Sequence, residues 1–461
     1  MEAGLSTEEV ATVTASPMEG CFFFTELDPE IKLKDSRDPL GFQPIWSYFG
    51  RKLVGNLTTV TTSVRGFTTL LLGHHFASSL VESGAVPAAE YIDPFLRFEQ
   101  ISAYSRFAWA DETGDAVNTI RGIRRVEARY KNGNGRVRIA SDRDGQILSN
   151  QKTYGLWGLY SVAATSSGLL QPSRLGLTTR AAHFVEENLL GALDQRKWGG
   201  VEGIGRLLSA RELQFEPRGK DKDLGRTLSN LYGPKFEEAE RDFYGRQLVN
   251  GSHCHPDGRQ ERLWRHIEQI NGRKKWRAFD MNELSAIVSK CQESHDTLDR
   301  VLAAGLDNIR VLERVLVPSE QIFDFVLGQR GQTVTAVAAE LGRRWRGAFG
   351  HLEPTRISEL ATEITQAAGD PSTLRIIAAS LIEGRFDNAI ELILQHNERV
   401  MQRRSGGAWA AVKNSRIEVR YSDQTGEPMD RSELPEGWHN TYFLNALKEV
   451  GAAVFMKEVA E

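Results

Sequence analysis

Three groups of residues in this chain have the types and spacing to do chemistry. The first is a candidate metal set: His253, Cys254 and His255 crowd one loop, while Cys291 and His295 fall at helical i, i+4 spacing. Thiolate and imidazole are the natural zinc ligands, but structural sites pair them as Cys-x-x-Cys with His-x-x-x-His, and His-Cys-His has no such spacer. The plainer reading is an ordinary polar loop, with a metal site as the alternative. The second group is Arg259, followed within two helical turns by His266 and flanked by Arg262 and Arg265. There the imidazole would act as base and the guanidinium would hold a phosphate, the chemistry of a helical ribonuclease. Short patterns of this kind also arise by chance in any Arg-rich helix. No serine elbow, His-Glu-x-x-His, phosphate loop or dinucleotide fingerprint accompanies them, so the favoured reading has no catalytic residues and no cofactor.

The third group is basic. Arg121, Arg124, Arg125, Arg129, Lys131, Arg136 and Arg138 face a single acid, Glu127. Arg121, Arg125 and Arg129 share one helical face, where like charges repel by about a few tenths of a kcal/mol per pair unless an anion or carboxylate lies alongside. A solvated face with acidic neighbours from elsewhere in the fold explains them; so does a strip that contacts phosphate. Arg273, Lys274, Lys275 and Trp276, followed by Arg277, form a second cluster, and Arg343, Arg344, Trp345 and Arg346 a third. Each holds or adjoins an aromatic residue (Tyr130, Trp276, Trp345), and arginine beside a stacking ring suits single-stranded or distorted nucleic acid.

The elements that must position these groups read as mainly helical, with a few short strands around 136–148 and 416–421. The most strongly patterned stretch is Asp38 to Gly73, DPLGFQPIWSYFGRKLVGNLTTVTTSVRGFTTLLLG. Leu57, Val60, Val64, Phe67 and Leu71 recur every three or four residues, which predicts an amphipathic helix with a Thr-rich solvent face. Tyr91–Ala110 predicts a buried helix. Gly145–Leu170 interleaves Gly155 and Gly158 with Tyr154, Trp157 and Tyr160, a pattern of close packing before ligand binding. Two helices are expected over Met281–Gly305 and Asp307–Leu316, closed by Pro318. Beyond it, Glu320–Leu327 and Thr333–Leu341 resemble a helix-turn-helix. Arg416–Tyr421 predicts a strand, and Trp438–Val450 a final helix; together they suit a winged appendage or a docking surface.

At 461 residues, two or three domains are expected: a flexible acidic segment 1–20, then helical units 21–215, 231–317 and 318–461, with the polar stretch 216–230 as a boundary. The net charge of −4 confines any polyanion site to a local patch. Three separated cysteines argue against a disulfide framework, and the acidic first thirty residues are unlike a signal peptide. The longest apolar run, Leu70–Leu72 with Phe76, is too short to span a bilayer. A cytoplasmic protein without membrane contact is expected.

The opening stretch and the ending LPEGWHNTYFLNAL resemble segments of uncharacterised bacterial proteins encoded in phage-defence gene clusters beside helicases, ATPases or nucleases. The resemblance covers about a sixth of the chain by general pattern and carries no catalytic residues. It implies an accessory subunit of a multi-protein complex. The sequence therefore points to a non-catalytic scaffold that binds DNA or RNA, with a helical ribonuclease or a purely protein-docking module as alternatives.

Overall fold

The computed structural model describes residues 38–114, 116–271, 277–421 and 427–455. The acidic segment 1–20 and the cluster Arg273–Trp276 lie outside these residues. The fold is mainly helical, with two small antiparallel sheets.

Helix α1 spans Gln43–Arg51 and α2 spans Val64–Glu82. The expected helix from Leu57 thus starts seven residues late. Thr61 explains the delay: its hydroxyl accepts from the Thr58 backbone N–H at 2.7 Å and lies 3.2 Å from the Thr58 carbonyl, a local turn that competes with helix. Ser63 then caps α2 by accepting from Gly66 N. Of the face expected to meet solvent, Thr59 is exposed and Thr58 and Thr62 are half-buried, whereas Thr61 and Arg65 are buried. Buried Arg65 pairs with Glu240 at 2.5 Å and stacks over Phe236.

Helix α3 (Ile92–Thr113) lies against α2 and carries its polar groups inward. Next come α4 (Ile123–Asn132), strand β1 (Val137–Ala140) and α5 (Leu156–Ser166). Strand β2 (Glu212–Phe215) pairs with β1, Val137 opposite Phe215. The expected boundary at 216–230 contains α6 (Lys222–Leu231), because Leu224 and Leu228 make an apolar stripe that packs on α3 despite the polar composition.

In the second half, α7 spans Arg259–Asn271, α8 spans Met281–Glu293 and α9 spans Thr297–Leu327. The helix expected over Met281–Gly305 breaks at Ser294, and Pro318 lies inside α9 instead of closing a helix. A proline inside a helix costs roughly 3 kcal/mol. Burial of Val311, Leu312, Val315, Leu316, Ile322 and Phe323 on both sides, at about 1.5–3 kcal/mol each, outweighs it. Helix α10 (Val334–Trp345) follows, then α11 (Pro371–Ile382) and α12 (Phe386–Arg403). Strands β3 (Ala410–Lys413) and β4 (Arg416–Val419) form a hairpin. The last helix, α13, spans Leu444–Phe455, six residues later than expected.

Residues 438–443 are irregular because α9 holds them. Buried Glu313 accepts from the N–H groups of His439 (2.6 Å) and Asn440 (2.8 Å), from Asn440 Nδ2 (3.1 Å) and from Tyr442 Oη (2.8 Å). Tyr442 and Phe443 take positive φ, 46° and 63°, a strained conformation for bulky residues. This loop packs directly on α1: Trp46 lies 5.4 Å from the Phe443 ring, and the Arg51 guanidinium stacks 3.8 Å above it. The two stretches singled out at opposite ends of the sequence are neighbours. Buried apolar residues from Leu40 to Val454 belong to one continuous cluster.

Candidate functional site

Burial and partners sort the candidate residues. In the first basic cluster the arginines turn to backbone carbonyls, and because Arg121 precedes α4, which starts after Gly122 at φ 75°, only Arg125 and Arg129 share its helical face. Arg121 Nη2 donates to Val60 O at 2.7 Å, Arg129 Nη1 to Gly145 O at 2.8 Å and Arg125 Nη1 to Gln146 O at 3.3 Å. These bonds tie α4 to two loops and offset the like-charge repulsion of the helical face. Arg124 is exposed. Tyr130 rests edge-on against Phe107 at 5.5 Å, half-buried, so its ring is part of the packing. Close by, buried Glu99 accepts from Gln151 Nε2 and Leu156 N, both at 2.8 Å, and burial pushes its pKa up to about 7. Gly155 belongs to this arrangement: a Cβ there would come within 2.9 Å of both Glu99 carboxylate oxygens.

Among the described residues, the five candidate metal ligands do not come together as a set. Cys254 donates to Gly251 O at 3.3 Å, burial raises its thiol pKa, and His295 is exposed beyond the end of α8. Cys291 instead joins His266 and Asp299, their ligand atoms all within 4.8 Å. Asp299 is the hub. It receives Arg262 in two bonds of 2.8 Å and His266 Nε2 at 2.7 Å, with Cys291 Sγ at 3.9 Å. The Arg262 guanidinium holds the Asp299 carboxyl well below the usual range, while burial, with Asp299 alongside, pushes the Cys291 thiol up to about 11. A guanidinium already neutralises the carboxylate and the thiol keeps its proton, so the cluster works as a latch between α7, α8 and α9. Arg259 pairs with Asp257 at 2.6 Å and, among the described residues, shares no partner with His266. Asp299 left no sequence signal, because its spacing to His266 and Cys291 exists only once three helices pack.

The third cluster lies at the C-terminal end of α10, a helix whose start is tied to the β3–β4 hairpin. Thr333 caps α10 by accepting from Ala336 N. Just before it, Gly331 N donates to Ile417 O (2.8 Å), Ile417 N to Gln332 O (2.9 Å) and Val334 N to Ser415 O (3.2 Å). The chain segment before α10 therefore makes an antiparallel bridge to β4, Thr333 opposite Arg416, beside a hairpin whose turn residues Asn414 and Ser415 both have positive φ. Arg330, Lys413 and Arg416 are exposed at this end, with Glu418 bound to Lys413 at 2.9 Å, while Arg420 is exposed at the far end of β4, where its backbone N–H donates to Trp409 O. At the other end of α10, Arg343 and Arg344 share Glu340, Arg344 also meets Glu427 at 3.0 Å, and Arg346 is exposed. Trp345 is fully buried and donates to Met429 O at 2.8 Å, so it supplies packing instead of a stacking face. An open groove of about 570 Å³ runs beside α10, floored by Thr335, Ala338 and Ala339, with Arg343 and Arg346 on one side and Asp387 on the other. On α12, by contrast, Asp387, Glu391 and Glu398 face solvent.

No helix among the described residues is long and apolar enough to cross a membrane. Compared with protein families, with curated proteins and with solved structures, the chain matches none.

Proposed function

We propose that this chain is a non-catalytic scaffold that engages nucleic acid through the winged unit formed by α10 and the β3–β4 hairpin. The observation that carries the reading is the pairing of residues 331–334 with β4, which sets the hairpin cations beside α10. From Val334 to Arg343 the helix rises about 14 Å, so the hairpin cations and the arginine pair can meet separate phosphates of one strand. Small side chains on the groove floor let a sugar-phosphate backbone approach closely. The mixed charge of the whole chain fits a local patch. Partners such as helicase, ATPase or nuclease subunits belong to the same proposal, supported by the resemblance of the two terminal stretches. The ribonuclease alternative gains no support from His266, whose Nε2 is committed to Asp299.

The test is fluorescence anisotropy with labelled single-stranded and duplex DNA and RNA. Reversing Lys413→Glu together with Arg420→Glu should weaken binding at least about tenfold at low salt, as two phosphate contacts are replaced by repulsion. Unchanged affinity would remove the hairpin from the interface. The same samples with magnesium should show intact nucleic acid; cleavage would overturn the non-catalytic reading.

A further inference from the structure

A second site lies far from the α10 and hairpin unit in the sequence, where α2, α5 and the loop 170–176 border an open pocket of about 380 Å³. That volume is within the ~300–1,000 Å³ of ordinary small-molecule sites. Its wall includes His74, 2% exposed, whose Nδ1 lies 3.0 Å from Tyr91 Oη. Tyr91 Oη is in turn 3.0 Å from Ser78 Oγ, so one imidazole nitrogen is fixed by a hydroxyl chain. The other, Nε2, is buried without a hydrogen-bond partner among the described residues. Buried polar atoms nearly always have a partner, and one left over on a pocket wall marks where a ligand atom belongs. Burial drives the His74 pKa down to about 4, so the ring is neutral near pH 7 and offers Nε2 as a single donor or acceptor. Trp157 stacks on His74 at 5.1 Å, and Leu175, 54% exposed, completes an apolar wall. Arg174 stands exposed at the rim.

We propose that this pocket binds a small aromatic carboxylate. The ring lies along Trp157 and Leu175, the carboxylate meets the Arg174 guanidinium, and a polar atom on the ring edge supplies the partner of His74 Nε2. Neither a bare phosphate nor an alkyl chain uses both the apolar wall and the arginine.

Isothermal titration of the full chain with 4-hydroxybenzoate, 4-hydroxyphenylacetate and indole-3-acetate tests this, with 3-methylindole as the uncharged control. For compounds of this size, the binding obtainable per atom sets an expected Kd of about 1 mM or tighter for at least one acid. Arg174→Ala, at an exposed position, should weaken that acid about fivefold or more and leave 3-methylindole unaffected. Ser161→Phe, which fills the pocket, should abolish binding of both while thermal unfolding stays cooperative. If no acid binds saturably, or if both variants bind as the wild type does, the proposal fails. A Ser161→Phe chain that does not fold leaves the Arg174→Ala comparison to decide.

Discussion

Glu313 shows how much one buried side chain can organise. Its carboxylate fixes four donors of the 439–442 loop, and that loop in turn receives α1. Glu313→Ala would leave those donors buried without an acceptor, and each costs about 1–3 kcal/mol. A loss of at least roughly 3 kcal/mol in denaturant unfolding is expected, and a loss under 1 would show that the loop finds other partners. Gly50 reports the same contact from α1, since a Cβ there would stand 2.6 Å from the Tyr442 carbonyl oxygen. Gly50→Ala should cost about 1–3 kcal/mol through overpacking, although alanine is the better helix former. Glu99 gives a pH signature. An unfolded glutamate releases its proton near pH 4.3, whereas Glu99 keeps its proton up to about 7 in the folded chain. Between those values the folded state holds the extra proton, so this group makes stability fall as pH rises from about 4.5 through 7. Glu99→Gln should flatten that part of the stability profile; an unchanged slope would show that Glu99 is ionised throughout.

At the scale of elements, what was legible in the sequence followed periodicity, and what was not followed tertiary partners. The buried helix over Tyr91–Ala110 and the strands near 137 and 416 were readable because apolar spacing alone specifies them. The start of α2 was not, because the Thr58–Thr61 turn depends on which hydroxyl finds which backbone group. Pro318 misled because its cost is local while the compensating burial comes from helices distant in sequence. Three helices assemble the Asp299 latch, which no single segment announces. Asp299→Asn would leave Arg262 only the more exposed Asp296 at 3.2 Å and weaken the bond to His266, and should cost about 1–3 kcal/mol. Because the folded carboxyl ionises below its unfolded value, this group's contribution is present above about pH 4 and fades as pH falls, so the variant should also lose part of the wild type's acid-side slope. Added zinc should leave wild-type thermal stability unchanged, since Arg262 already occupies the carboxylate; a stabilisation that requires His266 would make the cluster a metal site.

For the whole molecule, an acidic excess of four charges coexists with cations gathered at both ends of α10. Of the arginines singled out in sequence, Arg121, Arg125 and Arg129 hold the fold together, while Arg124, Arg343, Arg344 and Arg346 face solvent, as do the hairpin cations, which were not among them. Only the second kind can release counterions from a nucleic acid. The most direct measurement is therefore the salt dependence of binding to single-stranded and duplex DNA and RNA by the full chain. The account predicts measurable affinity at low salt, with log K falling linearly against log salt and a slope that shrinks by about one for each hairpin cation removed. No binding to any of the four nucleic acids at low salt, or binding whose slope is indifferent to the hairpin substitutions, would contradict it.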